Sequence, residues 1–106
     1  MSYIDDIATS IRARVDPAIL PKSDVERLFR IYAVLALAKG PEVTAEDVHD
    51  AWAAWECDRK PDSPSIVPFD RLTPRVQRMD EPFVQAIHEV GERLRAERAT
   101  STPTPE

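Results

Sequence analysis

A chain of 106 residues can form one modest hydrophobic core but not two, and 42% hydrophobic with 31% charged residues is the balance of a globular protein that buries such a core. A net charge of −5 opposes general nucleic-acid binding, because phosphate-backbone affinity comes from clustered lysine and arginine. The one cysteine, Cys57, excludes an internal disulfide framework, and the longest apolar run, Ile31 to Ala38, is far short of the roughly 20 residues that span a bilayer.

Asp5 and Asp6 stand where an export signal would carry positive charge, so the expected compartment is cytoplasmic. Ile4, Ile7, Ala8, Ile11 and Val15 recur at helical spacing, which predicts an amphipathic outer helix over residues 3–15, stopped before Pro17. Ser23 and Glu26 have capping-box spacing. Behind them Val25, Leu28, Phe29, Tyr32, Leu35 and Ala36 form the stripe of a central, mostly buried helix running to Gly40 and broken by Pro41.

Thr44 and Asp47 repeat the cap pattern for a third helix to about residue 58, with Val48, Trp52 and Trp55 at i, i+4 and i+7. From Lys60 to Asp70 the periodicity stops, and Pro61, Pro64 and Pro68 predict an extended, turn-rich ribbon. Thr73 and Pro74 open a short helix. Asp80 reads as the N-cap of the last helix, whose inward stripe is Phe83, Ile87, Val90 and Leu94. Gly91 either weakens that helix by about 1 kcal/mol relative to alanine or lets a neighbour approach closely.

The expected fold is all-α: a small bundle of four to five helices over residues 1–99, with one extended proline-rich segment packed across it. Residues 100–106 hold no apolar residue to offset ordering entropy and are expected to form a disordered tail.

The order Glu46-Asp47-Val48-His49-Asp50-Ala51-Trp52, then Ser65-Ile66-Val67-Pro68-Phe69-Asp70-Arg71-Leu72, then a short helix ending near Asp80, resembles the repeat domain first described in ryanodine receptors. The likeness covers roughly residues 44–88. It departs from that family between Glu56 and Pro64, where the Gly-Trp-rich loop of family members is missing. The whole chain also resembles small proteins of actinobacteria and their phages. The repeat-domain likeness implies a non-catalytic module that recognises a nucleotide-like signal in bacterial defence or phage counter-defence, or an adaptor that docks on a host or phage protein.

From the residues themselves, His49, Trp52 and Phe69 share a flank and can wall a recess that stacks a flat ligand. The alternative is structural: buried tryptophans, with the histidine bonded to a ribbon carbonyl near Val67. Arg71, Arg75 and Arg78 fall at i, i+4 and i+7, with Arg59 and Lys60 near in sequence. A continuous helical turn would align the three as a phosphate contact, unless they are a solvated face or Pro74 breaks the register. His49 and His88 lack metal-ligand spacing, and Cys57 has no glycine loop to form an oxyanion site. The sequence therefore points to binding without catalysis, metal or cofactor.

Overall fold

The computed structural model describes residues 2–100. The protein is all-α, with four longer helices, one five-residue helix and no strand among the described residues. The helices are α1 (Tyr3–Arg12), α2 (Val25–Lys39), α3 (Ala45–Arg59), α4 (Pro74–Arg78) and α5 (Glu81–Thr100). Short 3-10 turns lie at Pro17–Ile19, Gly40–Glu42 and Phe69–Arg71. Thr100 closes α5; the rest of the expected tail, 101–106, lies outside the described residues.

The stripe on α2 makes it the centre of the bundle. Leu28, Phe29, Tyr32, Ala33 and Ala36 are buried there, and α1, α3 and α5 pack around them. Each contributes its own stripe: Ile7, Ala8 and Ile11 from α1; Val48, Ala51 and Trp55 from α3; Val84, Ala86, Ile87 and Val90 from α5. Full burial of the Leu, Ile, Val and Phe side chains among these stabilises by about 1.5–3 kcal/mol each. No helix among the described residues is long and apolar enough to cross a membrane.

Two helix starts differ in kind. At α3 the Thr44 hydroxyl accepts from Asp47 N (3.1 Å) while the Asp47 carboxylate accepts from Thr44 N (2.9 Å), so the expected box forms. At α2 it does not. Residue Asp24 takes the left-handed conformation (φ 56°), and its carbonyl accepts the Trp55 indole N–H at 2.9 Å. Ser23 is drawn away from the helix end and accepts from Arg59 Nη2 at 2.7 Å. These tertiary bonds from α3 displace a cap worth only about 1 kcal/mol.

The first helix also stops earlier than its periodicity predicts, at Arg12; Val15 remains buried through a turn held by Arg14 N to Ile11 O and Val15 N to Arg12 O. The close-approach reading of Gly91 holds: a Cβ there would lie 2.5 Å from the Gly40 carbonyl carbon and 2.7 Å from its Cα. The last helix therefore crosses the end of α2 backbone to backbone.

Candidate functional site

The proline ribbon of residues 60–73 runs across the exposed flank of α3, because its prolines forbid a helix and its few apolar residues need a surface. His49 fastens it. Its Nε2 lies 2.6 Å from the Val67 carbonyl; that oxygen can only accept, so Nε2 carries the proton. Gln77 on α4 ties the ribbon a second time, donating to the Phe69 carbonyl at 2.9 Å and the Leu72 carbonyl at 3.3 Å. His88 plays a comparable part elsewhere, bonded to the Val43 carbonyl.

Behind the ribbon is a recess of about 260 Å³. Leu28 and Tyr32 of α2 and His49 and Trp52 of α3 form its inner walls; Ile19, Pro21 and Ser65 close one side, and Val76, Met79, Asp80 and Phe83 the other. Trp52 is only partly buried, whereas Trp55 is 1% exposed and belongs to the core, where Arg59 lies 4.2 Å over its ring. The imidazole of His49 stacks on Trp52 with ring centroids 5.7 Å apart and planes 24° apart, giving the recess a flat aromatic wall. Tyr32 and Phe83 form another, their centroids 5.7 Å apart.

Of the six residues singled out from sequence, only His49 and Trp52 line this recess. Phe69 touches the imidazole, with centroids 6.1 Å apart, but borders a second, more open depression with Glu46, Asp50 and Ala53. The ribbon, held at Val67, carries it onto that flank of α3. The three arginines do not form one row: Arg71 ends a 3-10 turn, Leu72 and Thr73 are extended (ψ 150° and 154°), and only Arg75 and Arg78 share α4. All three are exposed, and none makes an ion pair among the described residues. Arg59 is engaged structurally, by Glu56 and Ser23 as well as Trp55.

Two polar wall residues escaped the sequence reading. Tyr32 was indistinguishable from core, and Asp80 from a helix cap. The Tyr32 side chain is 1% exposed, and its hydroxyl has no hydrogen-bond partner among the described residues. No polar side-chain atom there is sealed off without a partner, so that hydroxyl opens onto the recess. Burial pushes the phenol well above its usual range, and the Asp80 charge adds to the effect. The Asp80 carboxyl is pushed up to about 6 by burial, with Glu81 adding to the shift and His49 opposing it. A hydroxyl on an otherwise apolar stripe was the available signal, since a buried phenol needs either a partner or a cavity.

Residues 2–92 match the profile of a family described as Domain of unknown function (DUF7701). The chain belongs to this family. No curated protein and no solved structure matches it. Every residue that lines the recess, from Ile19 to Phe83, lies within the matched DUF7701 region. Among the described residues no group of three histidine, cysteine, aspartate or glutamate side chains is placed to hold a metal ion.

Proposed function

We propose that this DUF7701 domain is a non-catalytic binding module that takes a small ligand with a flat apolar part into the recess behind the ribbon. The observation that carries this reading is the His49–Trp52 stack facing Tyr32 and Phe83 across a cavity of about 260 Å³. Such a volume suits a molecule of one or two rings, slightly below the usual range of ligand pockets. The likeness to the ryanodine-receptor repeat adds support, since it rests on the same His49, Trp52 and ribbon residues. A nucleotide-like ligand would place its base on the indole and its phosphate outside, toward Arg75 and Arg78 on α4, the helix that also supplies Val76 to the recess.

Thermal-shift measurement with nucleosides, nucleotides and small aromatic compounds tests this. Ligand binding to the folded state raises Tm by mass action, and Trp52→Ala abolishes the rise. Arg75→Glu removes it only for phosphate-bearing ligands. A folded protein whose Tm no member of the panel moves would end the reading. Exposed Ile19 and Met79 at the mouth favour a second reading, in which the same opening docks a protein partner. Affinity purification that retains a stoichiometric partner, with no small-molecule response, would select it.

A further inference from the structure

The interior of the recess is unbalanced in hydrogen-bonding character. Asp80 offers carboxylate oxygens that accept no hydrogen bond among the described residues, and no lysine or arginine pairs with them. Facing it from α2 is the Tyr32 hydroxyl, buried and likewise without a partner. From α3 comes His49, whose Nε2 proton is already committed to Val67, which leaves Nδ1 as an acceptor in the neutral ring. Glu81, next in sequence, adds a further negative charge near Asp80. Around these groups the walls are apolar or aromatic apart from Ser65, with Trp52 and Phe83 nearest in kind to a cation-binding surface.

The part of a ligand that lies against Asp80 and Tyr32 is therefore matched by donors and positive charge. An anionic group seated inside the recess would meet the Asp80 charge, with Glu81 adding to it and only His49 against it, since Arg75 and Arg78 do not line the cavity; a purely apolar occupant would leave a desolvated carboxylate unpaired. Building on the reading of the recess as a ligand site, we propose that its occupant is an amphipathic organic ammonium. Its apolar body lies against Trp52 and Phe83, and its charged nitrogen donates to the Asp80 carboxylate and the Tyr32 hydroxyl. Both orphaned groups are then satisfied at once. The carboxylate, ionised above about pH 6, is charged at neutral pH and available to the cation.

The test is calorimetric titration of the full chain at pH 7.5 with three near-isosteric probes: phenethylamine, phenethyl alcohol and 3-phenylpropionate. The expected order is amine tightest, alcohol weaker by about tenfold or more, and carboxylate without measurable binding, as a hydrogen bond to a charged group implies. Asp80→Asn, which keeps the shape, should weaken the amine by about tenfold or more and leave the alcohol nearly unchanged. Tyr32→Phe should weaken the amine by a smaller factor, and it provides a second variant should the first fail to fold. Equal affinity of amine and alcohol, or amine binding indifferent to Asp80→Asn, would overturn the ammonium proposal while leaving the ligand site standing, provided Trp52→Ala abolishes what binding remains. Absence of binding by all three probes to a folded chain would count against both.

Discussion

Gly91→Ala sets two effects of opposite sign against each other, and the structure decides between them. On helix propensity alone the substitution in the interior of α5 should stabilise by about 1 kcal/mol. The added methyl carbon, however, would sit 2.5 Å from the carbonyl carbon of Gly40, 2.7 Å from its Cα and 2.9 Å from its oxygen. All three are backbone atoms, which cannot rotate aside, and Gly40 is itself held at φ 57° where the chain leaves α2. Relief requires the crossing to open by about 1 Å, dragging the buried Ile87 and Val90 away from their neighbours. Overpacking of this sort costs about 1–3 kcal/mol and more where the backbone must move, so the net expectation is destabilisation by about 1–2 kcal/mol. For a domain of this size that lowers Tm by about 4–15 °C. Calorimetry or urea unfolding of the single variant reads the sign directly. A Tm equal to or above that of the parent would show that the two segments do not meet backbone to backbone, and the close-approach argument would fail with it.

Asp80→Asn should raise stability at neutral pH. The folded-state carboxyl is pushed up to about 6 from an ordinary 3.8, so the native state holds the proton more tightly than the unfolded chain. The stability this confers is complete below about pH 4 and is lost as pH rises through 6. A shift of that size would be worth about 3 kcal/mol for a fully buried group, and about 1–2 kcal/mol with partial solvent access. Urea midpoints at pH 4 and pH 7.5 check this: the variant should lack the parent's decline over that interval, and an identical decline would refute it. His49→Ala should release the ribbon, since its bond to the Val67 carbonyl disappears. Limited proteolysis should then cut within residues 60–73 several-fold faster with the rest of the chain intact, and an unchanged rate would show that Gln77 alone holds the segment.

Much of the fold was legible in the sequence because it is specified locally. The Thr44–Asp47 box, Pro74 after Thr73, and the stripes of α2, α3 and α5 act within a few residues of themselves, and the elements appear where these signals lie. Three prolines exclude a helix from the ribbon whatever surrounds it, and a carbonyl near Val67 was a foreseeable partner for a histidine on the flank of α3. Ser23 lost its capping role because a tryptophan 31 residues away claimed the Asp24 carbonyl. Trp52 and Trp55 carry the same periodicity signal, yet only Trp55 enters the core, because α2 covers that side while the other faces the gap under the ribbon. The recess itself could not be read from the chain. Tyr32 and Asp80 are separated by two helices and a ribbon, and each has an adequate local explanation as core residue or helix start. Only the packing of α3 and α5 on α2 leaves both without a hydrogen-bonding partner in one cavity, because periodicity dictates which way a side chain points and not what, if anything, fills the space in front of it.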